Sequence, residues 1–485
     1  MAHCGQPSRD LHTQGSFVAR VFDTTVPNKT KKNSKDPEPE AQSRFTGRGP
    51  ASAELTMVMV LVAIVLAVLN VAGPKVSTPR RVSSGVPIPD CSPSVRFERQ
   101  FVANPSKAIP RVTNVQIVDM DGDGANDLLV CDGSRNEIIW YRNDDNAGWV
   151  EHVLAKDIKV PAHATLVDID SDGDQDIVVA VLGDLLPSDK MVGKIVVLLK
   201  QETGYEQRVL LDDLRRVADV QVGDFDGDND PDLAVAVFGY ARGEVLWLEN
   251  RGELRFRDHF LLSRPGGIHI PVHDFDNDGD LDIITIITQE EEEVWGFEND
   301  GRGHFRKRLL HFTHNFDIGG AGLVACDLDQ DGDVDLLLPQ GDNLELSHGW
   351  PQPYHGCKWL ENQGGWKFQL HHIAAFGGTY AANYGDVDAD GDYDVVLVSM
   401  INDFSDPTHP SVVWLENNGR QNFTTWTVDT SPPELICVAL GDLDGDGRDD
   451  IVAGGMDMPF SGVPGTRRLT LWKSKAFGKS RDVSR

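Results

Sequence analysis

The sequence predicts an all-β chain folded as a seven-bladed β-propeller, and three observations predict it. A nine-residue pattern, D-x-D-x-D-G-x-x-D, starts at Asp119, Asp168, Asp224, Asp274, Asp327, Asp386 and Asp442, at intervals of 49, 56, 50, 53, 59 and 56 residues. A Trp-centred strand follows every copy but the second, at Trp140, Trp247, Trp295, Trp359, Trp414 and Trp472, and reads Trp-Leu-Glu-Asn in three of them. A run opening on an aromatic and closing on an aliphatic residue then follows most copies, as in Trp149 to Leu154, Phe305 to Leu310 and Phe423 to Val428. No helical period competes with these short strands. One four-stranded sheet cannot bury both faces alone, whereas radial stacking buries them all.

Each repeat reads as strand, acidic loop, aliphatic strand, variable connection, Trp strand, Asn/Gly turn and outer strand. Outer-strand signatures number seven only if Phe97 to Val102, which precedes the first acidic loop, is included. The chain ends after Trp472 without one, so the N-terminal strand is expected to complete the last blade. That places the propeller at 91–475 and leaves 476–485 as a tail.

Ahead of it, residues 1–53 are rich in Lys, Pro, Ser and Thr without apolar periodicity, the composition of a disordered segment. Residues 54–73 contain the uncharged run 55–72, LTMVMVLVAIVLAVLNVA. At ~1.5 Å per residue it covers ~27 Å as one helix, enough to cross a bilayer. A retained transmembrane anchor is favoured over a cleaved signal, because more than fifty residues precede the run and Asn70 sits at −3 of the best cut, after Ala72. Residues 74–90 read as a linker.

The chain carries 76 acidic and 45 basic residues, a formal charge of −31, so nucleic acid is not an expected partner. Cysteines at 4, 91, 131, 326, 357 and 437 contain no CxxC pair, and at most two disulfides could form in the main body.

In every acidic loop positions 1, 3, 5 and 9 are Asp. The sets are Asp119, Asp121, Asp123 and Asp127; Asp168, Asp170, Asp172 and Asp176; Asp224, Asp226, Asp228 and Asp232; Asp274, Asp276, Asp278 and Asp282. The last three are Asp327, Asp329, Asp331 and Asp335; Asp386, Asp388, Asp390 and Asp394; Asp442, Asp444, Asp446 and Asp450. Four carboxylates in nine residues repel one another, and oxygen ligands at i, i+2 and i+4 wrap a hard cation, so calcium is the expected occupant. Seven such ions would reduce −31 to −17. Position 6 is Gly in six loops and Asn229 in the third, which fits a left-handed turn. An EF-hand is disfavoured because no Glu stands at position 12, and plain polar turns do not require Asp at four fixed places.

With these loops and the Trp strand, the chain resembles the FG-GAP and VCBS repeat propellers, whose best-known relatives are integrin α-subunit heads. It departs from integrins in lacking a clear Phe-Gly…Gly-Ala-Pro cage in each blade. The resemblance implies calcium loops on a lower face and ligands on the upper one. On that layout the upper connections can be measured from the last motif Asp to the Trp, giving 13, 15 and 13 residues in blades 1, 3 and 4 against 24, 20 and 22 in blades 5, 6 and 7. The longer ones carry Asp342, His348, Trp350, Tyr354, His355, Asp403, Phe404, Asp406, His409, Asp457 and Phe460, suited to sugar stacking or polar ligand capture.

A second cluster comes from the residue five before each first Asp: Asn114, His163, Asp219, His269, Gly322, Ala381 and Cys437. Two His flanking an Asp could hold a metal or act as acid and base, although channel His bonded to water is the plainer reading.

The leading functional reading is a membrane-anchored, extracytoplasmic binding or adhesion module with a protein or glycan ligand, secreted if 55–72 is cleaved. The alternative is a carbohydrate lyase or dehydratase on the same scaffold. The calcium loops favour the calcium-rich side of a membrane.

Overall fold

The computed structural model describes residues 93–477, except 103–108, 145–147, 290–291, 316, 343–350, 407 and 458–464. The expectations for residues 1–53, 54–73 and 74–90 therefore lie outside the described residues. Among the described residues no helix is long and apolar enough to cross a membrane.

Seven antiparallel sheets follow one another, each ordered from an inner to an outer strand. Blade 1 comprises Val112–Val118, Asp127–Asp132, Glu137–Asp144 and Gly148–Ala155. Its acidic loop joins the first two strands, so all seven acidic loops emerge on one face, here called lower, and the second-to-third connections on the other. The inner strand of blade 4 is split into Gly267–His269 and Val272–His273. Pro271 between them has no N–H for the ladder, while its carbonyl still accepts the Ile284 N–H at 3.0 Å. In six blades the inner strand carries a bulge beside the residue five before the first Asp, as between Pro161 and His163 or Val217 and Asp219.

Second strands such as Asp176–Val181 and Asp394–Ser399 are buried at every residue, which is why they read as unbroken aliphatic runs. Neighbouring blades cover both their faces. Seven buried clusters result, one at each blade boundary, and the first joins Val112 and Val130 of blade 1 to Ala439 and Val452 of blade 7. The ring is thus closed by apolar packing.

The aromatic at the start of an outer strand wedges against the preceding blade. Phe305 lies 5.6 Å from Trp247 and 5.7 Å from Phe225, edge-on to both. Gly303 permits this: a Cβ there would stand 2.1 Å from the Trp247 ring.

The last sheet comprises Leu435–Gly441, Asp450–Gly455 and Leu469–Ala476, with Val95–Phe101 along its outer edge, paired from Val95–Ala476 to Phe101–Thr470. At the boundary of blades 7 and 1, Arg468 bonds to Asp132, both buried. Burial raises the Asp132 pKa, against the attraction of Arg468. Cys131, Cys326, Cys357 and Cys437 are buried free thiols, so no disulfide forms among the described residues.

Candidate metal loops and channel cluster

The four Asp of each acidic loop have different tasks. The first binds the loop's own backbone: Asp168 accepts the N–H groups of Asp172 and Gly173 at 3.0 and 2.9 Å, and Asp327 those of Asp331 and Gly332. The fifth accepts the N–H two residues on, as Asp228 does from Asp230 at 2.9 Å. Position 6 is left-handed as expected, with φ from 67° at Asn229 to 99° at Gly279. Position 4 is left-handed too, even where it is Gln330 (58°) or Ala389 (59°).

The ninth Asp is nearly or wholly buried in every blade and ties three elements together. Asp232 accepts the N–H of Phe225 at 3.2 Å, the Trp247 indole at 3.0 Å and the Asn250 N–H at 2.7 Å. The residue equivalent to Asn250 makes this last bond in all seven blades at 2.7–2.8 Å. Where it is Asn, its amide can also reach the previous blade: Asn299 donates to Phe225 O and Asn362 to Phe275 O. This Asn role was missed in the sequence, where the residue read only as a turn.

Oxygens from positions 1, 3 and 9 converge within 4.8 Å in the first, second, fourth and fifth loops, and from positions 1, 3 and 5 in the third. Fit to a cation is tested by what those oxygens touch. Oδ1 of Asp226, Asp276, Asp329 and Asp388, the third position of four successive loops, is buried without a hydrogen-bond partner. Buried anionic oxygens without donors are costly, and a hard cation is the ligand they suit.

Loops 1 and 7 differ because each receives a basic side chain. Arg142 reaches Asp121 at 2.7 Å and Asp123 at 3.0 Å, while Lys475 bridges Asp444 and Asp446 and Lys473 lies 3.3 Å from Asp444. Burial raises the pKa of the Asp at position 3 in loops 2 to 6, with repulsion from neighbouring carboxylates added. In Asp444 burial pushes upward too, but the bonds and charges of Lys475 and Lys473 together outweigh it, and the pKa falls.

Burial pushes Asp232 and Asp450 up to about 6, Asp282 and Asp335 to about 7 and Asp394 to about 8. A folded pKa above the unfolded one contributes stability at low pH that disappears as pH rises through the folded value. The ion-free protein should therefore melt higher at pH 5 than at pH 8.5, by differential scanning fluorimetry in EGTA. Excess calcium should shrink or reverse the trend, because protons and ions compete for the same oxygens. An ion-free melting temperature that climbs with pH would contradict this.

On the upper face, three expected rim residues are corrected. His355, Asp403 and His409 are 1%, 7% and 8% exposed and serve the loops themselves. His355 Nδ1 accepts the N–H groups of Gln352 and Gly378 at 3.2 and 3.1 Å, and His409 Nδ1 faces the Asp403 carbonyl at 3.2 Å. Asp342, Tyr354, Phe404, Asp406 and Asp457 are half-buried, while His348, Trp350 and Phe460 lie outside the described residues.

Blade 2 also has a long upper connection. Val197 holds the ladder position that Trp140 holds in blade 1, and it lies 21 residues after Asp176. Without a Trp to count to, the sequence hid it. Arg216 donates to the carbonyls of Asp184 and Leu185 at 2.8 and 2.9 Å, and Leu185 packs on the cluster of Met400, Ile436 and Met456 of blades 6 and 7. This connection thus straps the axis of the ring.

The channel cluster is brought together on its blade 2 to 4 side. His163 Nδ1 lies 3.2 Å from Asp219 Oδ1 and His269 Nδ1 lies 3.8 Å from Oδ2. Asp219 also accepts the Ile270 N–H at 3.0 Å and the Gln221 amide at 3.1 Å. Burial lowers the His269 pKa, and Asp219 opposes the shift. Asn114 is a step removed, accepting the Gln116 amide at 3.0 Å. Cys437 points its thiol at Val112 O, and Gly322 and Ala381 add no polar group.

A family model described as FG-GAP-like repeat matches residues 119–179, 224–285, 274–338 and 386–453. No curated protein matches the sequence. Among solved structures, BBS1N in complex with ARL6DN, soaked with mercury, is 12% identical over 79% of this chain and 97% of its own, at a TM-score of 0.45. A streptogramin B lyase structure is 11% identical over 78% of this chain and 98% of its own, at a TM-score of 0.49.

Proposed function

The chain belongs to the FG-GAP-like repeat family, and we propose that it is a calcium-braced binding module, held to a membrane through residues 55–72 and displayed outside the cytoplasm. The observation that carries the calcium reading is the row of buried, partnerless carboxylate oxygens in loops 3 to 6. There the Asp at positions 1, 3, 5 and 9 would hold the ion, and calcium would supply the positive charge that Arg142 and Lys475 supply in loops 1 and 7. The bound ion would stiffen the turn between first and second strands, leaving the opposite face to vary.

The ligand, a protein or a glycan, would meet the upper connections of blades 5 to 7. Changing Trp350 and Tyr354 together to Ala should abolish retention on a glycan array with calcium stoichiometry unchanged. Undiminished retention by the double variant removes this rim as the site.

Calcium loops with dissociation constants of the extracellular class, ~10⁻⁴ to 10⁻³ M, would stand empty in a cytosol. Protease added to intact cells should thus digest or release the propeller and spare an epitope near residue 20. Protection of the propeller until lysis would place it inside.

A further inference from the structure

We propose that the axial channel contains a second kind of metal site, in which His163, Asp219 and His269 bind one zinc-class divalent cation. The three residues hold the same register in blades 2, 3 and 4, each five residues before the first Asp of its acidic loop. A recurrent bulge stands beside all three. Asp219 is 3% exposed and is the one carboxylate of that layer. The Ile270 N–H and the Gln221 amide fix the plane of its carboxylate. One imidazole then faces each oxygen, through the same ring nitrogen.

The spacings fit a shared ion. Two ligand atoms about 2.1 Å from one metal at a tetrahedral angle lie about 3.4 Å apart; Nδ1 of His163 is 3.2 Å from Oδ1 and Nδ1 of His269 is 3.8 Å from Oδ2, so a shared ion would be held by both oxygens of Asp219. The longer one exceeds a direct hydrogen bond. The His269 ring, although packed closely enough for burial to lower its pKa, keeps 41% of its side-chain surface accessible, so an ion there would retain contact with water. Of the two ring nitrogens of His163, Nδ1 is the one that faces Asp219, while Nε2 lies 3.4 Å from the Gln116 amide. Thr165 Oγ1, 3.4 Å from that Nδ1, can add an oxygen.

Two imidazoles with one carboxylate select the zinc class over calcium, which takes oxygen alone. The acidic loops offer no nitrogen, so the two kinds of site separate by metal. This inference does not depend on whether those loops bind calcium.

The test titrates the full chain with Co²⁺ in saturating calcium, which keeps oxygen-only loops occupied, and follows the visible ligand-field band. One saturable equivalent is expected, displaced by Zn²⁺ and lost in both His163→Ala and His269→Ala. X-ray absorption of cobalt bound to the unaltered protein reads the ligands without any substitution, and two imidazoles are expected. Absence of a saturable equivalent, a band that survives both substitutions, or a cobalt shell without imidazole would each overturn the proposal.

Discussion

Excess EGTA is expected to lower the melting temperature of the propeller by about 10 °C at neutral pH. An ion that binds only the native state at about 10 mM, with a dissociation constant of ~10⁻⁴ to 10⁻³ M, contributes about 1.4 to 2.7 kcal/mol per site. The four loops with partnerless buried oxygens would together supply about 6 to 11 kcal/mol, as much as many whole domains possess. Unfolding entropy near 2 cal/mol/K per residue, over the propeller's length, converts that sum to about 10 °C. Calorimetry with and without chelator measures it, and an unmoved transition would exclude calcium as the brace.

Arg468→Met should cost about 3 to 5 kcal/mol, because it strands the carboxylate of Asp132 in a fully buried place. The loss should exceed that of any single ion-loop substitution, since the pair sits where the first and last blades meet. Asp132→Asn added to that variant should recover more than half of it. The amide keeps an acceptor for the N–H groups of Ser134 and Arg135, which Asp132 binds at 3.0 and 2.9 Å, and no charge remains unpaired. Urea titration of the two variants decides the matter: a double variant no more stable than the single one would mean that the arginine stem, not its charge, matters.

The blades were legible because each repeats one chemical demand. An Asp that begins every second strand, a Trp in six third strands and an aromatic opening most outer strands announce the ring by themselves. What the sequence concealed was non-local. Asn299 and Asn362 look like turn residues until a carbonyl of the previous blade is seen beside them. Arg142 and Lys475 look like ordinary strand charges, yet they lie in the acidic loops of their own blades. The left-handed position 4 left a partial trace, Gly in three copies at 122, 227 and 445, but Ala389 adopts it under the demands of its neighbours. His355 and His409 were expected at a rim because of where they fall in long connections, whereas the loops fold around them. The layer of His163, Asp219 and His269 could be counted out from the acidic loops, and only the ring's curvature brings the three side chains together.

The strap of blade 2 gives the molecule a direction. With Leu185 seated on Met400, Ile436 and Met456, the upper connection of blade 2 is tied across the ring to blades 6 and 7, while the acidic loops crowd the opposite face. That face acts as an electrostatic filter: a rim of carboxylates concentrates small cations and turns anions away, with a strength that falls as salt rises. The two faces of the ring therefore differ in kind: one is tied by apolar side chains, and the other selects what approaches it by charge.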